Sequence, residues 1–171
     1  ESLDRIKNIL HIAKTENISV RGYISCVLGC PYEGKVNFEK IANLSEKLIN
    51  LGCYEISLGD TVGYGTHNKV TQLIKEVKKK LDVNQIAVHF HDTYGQALAN
   101  IYSALQLGVK NIDSSVGGLG GCPYAKGAKG NVASEDVVYM LNGMGIKTGL
   151  DLKEIVKTAH FIHDFLKKPP S

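Results

Sequence analysis

Apolar residues return every three or four positions along residues 3–14, at Ile6, Ile9, Leu10 and Ala13, a spacing that stacks them on one face of a helix. Residues 20–28 follow as a mostly apolar, β-prone run and predict a strand. The alternation then repeats. Asn37, a side chain suited to capping a helix start, precedes a stripe of Phe38, Ile41, Ala42, Leu48 and Ile49 that Gly52 closes, and residues 54–58 form the next strand. Thr66 opens a helix carrying Val70, Leu73, Ile74 and Val77, ahead of a strand at 85–90. A helix over 93–107, stopped by Gly108, precedes a strand over 109–116. Beyond Gly149, Asp151 and Glu154 stand at capping-box spacing and predict a last surface helix.

Strands that start near Val20, Tyr54, Gln85 and Val109 are separated by roughly 25 to 35 residues, the length of a βα unit with a parallel crossover. Alternating units close into a barrel or wind an open sheet, and the polar residues decide between them. Nearly every strand ends in chemistry: Ser25 and Cys26, then Ser57 and Asp60, then His89 and His91, then Asp113 and Ser114. Functional groups at the C-terminal ends of several strands are the barrel pattern, whereas an open sheet gathers its ligand at one switch point. The fold class expected is α/β, the C-terminal half of a (β/α)8 TIM barrel with about four parallel βα units. Residues 1–171 then make one partial barrel domain, with the other strands expected upstream, since the leading helix has no strand before it.

A chain of 171 residues, 43% apolar and 22% charged, has ordinary globular composition. Its net charge of +3 is dispersed over short clusters such as Lys78, Lys79 and Lys80, which gives no support to a nucleic-acid partner. The four cysteines lack a regular framework and read as reduced thiols. No apolar run approaches the roughly 18 residues of a membrane span, so no membrane partner is expected.

In a strand, residues two apart share a face, so His89 and His91 form a chelating pair while Phe90 points the other way. Two imidazoles completed by oxygen ligands suit a labile divalent ion, Mg²⁺ or Mn²⁺, whereas a third imidazole or a thiolate would suit Zn²⁺. His11, His160 and His163 lie on helices and His67 at a helix start, so they offer little. Asp92, one residue past His91, points away from the pair and is expected to cap the following helix. The glycine-rich run from Gly117 to Gly121 leads into Cys122, and three readings stand for it: a flexible surface connection, a backbone phosphate cradle, or a hinged lid that carries Cys122 to a substrate.

The segment Gly117-Gly118-Leu119-Gly120-Gly121-Cys122-Pro123-Tyr124-Ala125 closely resembles the signature loop of the 3-hydroxy-3-methylglutaryl-CoA lyase family. Residues 20–26, 55–61 and 89–97 resemble that family too, in order, so the likeness covers nearly the whole chain. It implies a TIM-barrel metallolyase that splits its CoA-thioester substrate into acetyl-CoA and acetoacetate, in leucine degradation and ketone-body formation. It further implies a mitochondrial matrix location and a homodimer at full length. By resemblance His89, His91 and Asn131 are metal ligands, Cys122 is the catalytic cysteine, His89 or Asp60 takes the hydroxyl proton, and Ser57 and Glu135 face the substrate. The family's Arg-Asp pair on the first barrel strand has no counterpart here, since Asp4-Arg5 lies in a predicted helix; the 171-residue fragment alone is expected to be inactive. Condensing relatives of the isopropylmalate and homocitrate synthase kind share a His-x-His strand but carry a different loop. A non-catalytic truncated barrel is the reading from another class.

Overall fold

Helices and strands alternate through residues 2–121 and 130–167, which the computed structural model describes. The elements are α1 (Ser2–Thr15), β1 (Arg21–Ile24), α2 (Phe38–Leu51), β2 (Glu55–Asp60), α3 (His67–Val77), β3 (Ile86–Phe90), α4 (Ala97–Gln106), β4 (Asn111–Asp113), α5 (Ser134–Gly143) and α6 (Leu152–Leu166). Single 3₁₀ turns sit at Val83–Gln85 and Val116–Gly118.

Local chemistry places most of these bounds. Asn37 accepts from the Lys40 N–H at the start of α2, and Gly52 ends that helix at φ 117°, a left-handed position that favours glycine. Asp151 accepts from the Lys153 and Glu154 N–H groups, but the Glu154 side chain pairs with Lys157, so only half of the expected capping box forms. β1 is shorter than its apolar run because Cys26 turns left-handed at φ 59°. β4 stops after Asp113 because Ser115 leaves the sheet to exchange hydrogen bonds with Val132 and Ser134. In α1 the buried stripe is Leu10 and Ala13 with Ile6 beside them, whereas Ile9 is 57% exposed and falls off the face that the spacing suggested.

The four strands pair in parallel in the order β1-β2-β3-β4. The strands follow one another in sequence order, with α2, α3 and α4 packed on the apolar side, as in a barrel wall; an open doubly wound sheet would reverse its order. The helix-facing side holds the core: Ile56, Leu58, Ile86, Val88 and Phe90 pack against Val70, Leu73, Ile74, Val77 and Ile101, all essentially without solvent contact. The opposite side carries Arg21, Tyr23, Glu55, Ser57, His89, Asn111 and Asp113, set in rows by the register Arg21 to Glu55, Ser57 to Ala87 to Asn111, and Gly59 to His89 to Asp113. One face of the sheet is thus apolar and the other is chemical. No described helix is long and apolar enough to cross a membrane.

The helix after β3 starts at Ala97, four residues later than the apolar spacing suggested, because the chain first turns through Gly95 at φ 67°. Asp92 still serves that helix, its Oδ1 accepting from the Ala97 N–H at 2.9 Å. Asp92→Ala is expected to lower stability by about 1 kcal/mol in urea unfolding, the usual loss for a helix-capping carboxylate. An unchanged unfolding midpoint would remove that role.

Candidate active site

The chemical face is organised around Asp113. Its Oδ2 accepts from Ser57 Oγ at 2.8 Å and from His89 Nδ1 at 3.3 Å, and its Oδ1 accepts from Arg21 Nη1 at 2.7 Å. Arg21 also donates to Glu55 and, at 2.7 Å, to the Tyr23 hydroxyl, and Asn111 Nδ2 donates to the second Glu55 oxygen. Burial alone would raise the Asp113 carboxyl, but hydrogen bonds from His89, Arg21 and Ser57 and the charge of Arg21 outweigh it and hold the group at about 2. Asp113 is therefore a fixed anion. Since a carboxylate only accepts, His89 carries its hydrogen on Nδ1, and Nε2 is left with the lone pair.

His89 and His91 stand with ring centroids 5.4 Å apart. His91 lies just beyond β3 in an antiparallel bridge with Asn131, fastened by Val132 N–H to Phe90 O at 3.3 Å and Asp92 N–H to Gly130 O at 3.1 Å. Asn131 Nδ2 donates to the Leu119 carbonyl at 2.9 Å, which leaves Oδ1 buried without a partner, and His91 Nδ1 is buried and unpartnered as well. Burial, and then the electrostatic influence of the neighbouring His89, push the His91 imidazole below its ordinary value, which favours the neutral form that a metal ligand needs. Leaving a buried polar atom unpaired costs about 1–3 kcal/mol, so two of them on adjacent backbone segments fit a bound ligand. Two imidazoles and an amide oxygen are what this corner offers a cation, and the described residues contain no cluster of three His, Cys, Asp or Glu that could hold one.

The remaining expected site residues divide. Asp60 is a correction: one position out of step with Ser57 and Gly59, its carboxylate lies on the helix side, fully buried, and accepts from Tyr64 N–H at 3.0 Å and Gly65 N–H at 2.8 Å. Burial raises that carboxyl, against the pull of those backbone hydrogen bonds. It shapes the turn after β2, and its carboxylate lies on the opposite face of the sheet from the His89 side chain. Ser57 is fully buried beneath Asp113. Glu135, in the first turn of α5, accepts the Gly117 N–H with both oxygens, at 3.1 and 3.0 Å, so it braces the turn after β4. Cys122 lies outside the described residues.

Arg21, Tyr23, Glu55 and Asn111 were not singled out from the sequence, and Asp113 was noted only as polar chemistry at a strand end, with no role in the site. The signal was there: each pair sits at period two, polar, in a strand whose intervening residue is apolar or glycine. His163, set aside as a helix residue, is buried and bonds to Gly117 O.

Residues 1–162 match the HMGL-like family. A protein of Gallus gallus named hydroxymethylglutaryl-CoA lyase, mitochondrial, is 55% identical over 168 residues, 98% of this chain and 56% of that protein. The crystal structure of hydroxymethylglutaryl-CoA lyase from Pseudomonas aeruginosa superposes with a TM-score of 0.96 at 53% identity, covering 99% of this chain and 56% of that one. An HMG-CoA lyase of Acinetobacter baumannii, solved in complex with coenzyme A and 3-methylmalate, matches with a TM-score of 0.92 at 32% identity, covering 99% of this chain and 56% of that one. The chain thus spans about half the length of the relatives it matches.

The depressed His91 imidazole has a consequence for stability without metal. Below the ordinary value of 6.5 the unfolded chain takes up the proton first, so stability falls as pH drops through that value. The Asp113 contribution is lost lower, between 3.8 and about 2. In metal-free protein, His91→Gln should flatten the decline of Tm just below the imidazole value and leave the lower fall intact. An unaltered upper slope would show that His91 is not the titrating group.

Proposed function

The chain belongs to the HMGL-like family, and we propose that it is the metal- and substrate-binding wall of a lyase that cleaves 3-hydroxy-3-methylglutaryl-CoA into acetyl-CoA and acetoacetate. The observation that carries this reading is the pair of orphaned buried atoms, His91 Nδ1 and Asn131 Oδ1, next to the oriented His89. His89, His91 and Asn131 would hold a divalent cation. A donor set of two imidazoles and one oxygen, with oxygens of substrate or water to complete it, favours labile Mg²⁺ or Mn²⁺. Bound there, such an ion would draw negative charge from the substrate's hydroxyl and carboxylate oxygens.

In the cleavage, the tertiary hydroxyl loses its proton and its carbon becomes the ketone of acetoacetate. The broken carbon–carbon bond leaves its electron pair on the acetyl-CoA carbon, which takes up a proton. We assign that proton to Cys122. Asp113 fixes the His89 tautomer, and Arg21 and Ser57 fix Asp113, so the imidazole keeps one orientation. A ligating Nε2 has no lone pair left for the hydroxyl proton, and Asp60 faces the helices, so no described side chain is assigned as the base. Ser57 and Glu135 act as supports in this reading, behind the surface that the substrate meets.

The structure of a relative with coenzyme A supports a CoA-thioester partner. Relatives carry mitochondrial and cytoplasmic names alike; a mitochondrial matrix location, with the place in leucine degradation and ketone-body formation, and a homodimer belong to the proposal for the full-length protein.

Incubation of the full-length enzyme with 3-hydroxy-3-methylglutaryl-CoA and Mn²⁺ should release acetoacetate; no product with either Mn²⁺ or Mg²⁺ would overturn the reading. His91→Ala and Asn131→Ala should each weaken Mn²⁺ binding at least 10-fold in a free-ion titration, and Asp113→Asn about 10-fold by freeing the His89 ring. Undiminished affinity would remove the residue concerned from the site. Cys122→Ser should cut turnover roughly 10²-fold while Mn²⁺ affinity holds, and full turnover would end its assignment as acid.

A further inference from the structure

Resting on the metal-site reading above and deepening it, we propose that His163 of α6 is a positioning residue that, together with Glu135, sets the Asn131 side-chain oxygen by gripping Gly117. His163 is one of two buried residues of α6, and its Nε2 lies 3.1 Å from the Gly117 carbonyl oxygen. A carbonyl only accepts, so Nε2 carries the hydrogen. The Gly117 N–H donates to Glu135, so one residue is held at both of its backbone polar groups by side chains from two helices. Gly117 is left-handed at φ 65° and ψ 17°, and a Cβ there would lie 2.4 Å from His163 Nε2: the imidazole rests against the glycine Cα.

The grip reaches Asn131 in one short step. Gly118 N–H to Ser115 O at 3.0 Å and Leu119 N–H to Val116 O at 3.3 Å close the turn that begins the loop, and the Leu119 carbonyl then receives Asn131 Nδ2. That hydrogen bond decides which way the amide faces, because the opposite rotamer would set Oδ1 against the Leu119 oxygen. Gly120 makes the fit close, since a Cβ there would lie 2.5 Å from Asn131 Nδ2. A displaced Gly117 turn therefore shifts the orphaned Oδ1.

Packing does not account for a histidine at 163. Its Nδ1 is buried with no partner, a penalty that an apolar side chain of similar size would not carry. What the imidazole supplies is the donor at Nε2.

The test uses the full-length protein with Mn²⁺ as probe, free ion being read by electron paramagnetic resonance, alongside thermal unfolding. His163→Phe keeps the bulk and removes the donor; it should raise the Mn²⁺ dissociation constant about 10-fold, the lower end of what lost supports to a ligand cost. His163→Gln, whose amide nitrogen can reach the same carbonyl, should restore most of that affinity. In an Asn131→Ala background His163→Phe should cause no further weakening, because the two would act through one path. The proposal is overturned if His163→Phe leaves Mn²⁺ affinity as it was, if it lowers Tm alone, if Gln fails to restore binding, or if the loss persists in the Asn131→Ala background. Should Phe prevent folding, His163→Leu removes the same donor in a smaller side chain and is read by the same criteria. If Asn131→Ala itself keeps full affinity, the metal reading fails and this proposal with it. If Asn131→Ala weakens binding while His163→Phe does not, only the grip fails.

Discussion

A single carboxylate, Asp113 on β4, receives hydrogen bonds from Arg21 on β1, Ser57 on β2 and His89 on β3, so one side chain ties the site across all four strands. This is possible because parallel neighbours in register present the same parity to the same face, and because the strands follow one another without a reversal. A carboxylate in that setting is expensive to desolvate. Three donors and one full positive charge offset the cost; Glu55 and the Tyr23 hydroxyl accept from the rest of the Arg21 guanidinium, and Asn111 holds the second Glu55 oxygen. The arrangement also orients His89, since a charged acceptor at Nδ1 fixes the tautomer and frees Nε2.

Period two explains both what was legible in the sequence and what was misread. The βα repeat, the parallel sheet, the caps at Asn37 and Gly52, and the shared face of His89 and His91 all follow from local spacing, and all are present in the fold. Asp60 was misplaced by the same rule that placed the histidines. It lies at the end of a strand, as a site residue should, but three residues from Ser57 means the opposite face. The turn that follows β2 uses it as an acceptor for backbone N–H groups. Arg21 escaped notice, and Asp113, seen only as a polar strand end, received no role, for the opposite reason. Each is a lone charged residue near the bound of a short strand, and only the register of β1 and β4 against their neighbours, fixed by long-range pairing, brings them within 2.7 Å.

Asn131 illustrates a different limit. Nothing in its surrounding glycines says which amide atom is satisfied, and the answer depends on the Leu119 carbonyl twelve residues earlier. That carbonyl is set in turn by a turn held from α5 and α6. His163 looked like an ordinary helix residue because its partner is a backbone oxygen, and a backbone partner leaves no mark in side-chain spacing. Glu135, by contrast, carried a family resemblance but not its role; the structure adds the atom that it holds.

The unpaired atoms and the depressed imidazole describe one physical situation. His91 Nδ1 and Asn131 Oδ1 have no protein partner, and burial shifts His91 towards its uncharged form, so the folded chain holds these polar atoms out of water and in place. That is a stability cost while the corner is empty, and in the proposed metal site it would be a preorganised donor set once a cation enters, because the amide held by Leu119 and the imidazole held by Asp113 would not have to turn at that moment. Binding to the folded form alone returns stability by mass action, about 2.7 kcal/mol at a hundredfold excess over the dissociation constant, comparable with the cost of one or two buried orphans. In the proposed metal site the same lone pairs that lower stability without metal would be the source of affinity. Supports that hold them still, Asp113 for His89 and the Gly117 turn for Asn131, would raise that affinity by removing orientational freedom before the ion arrives.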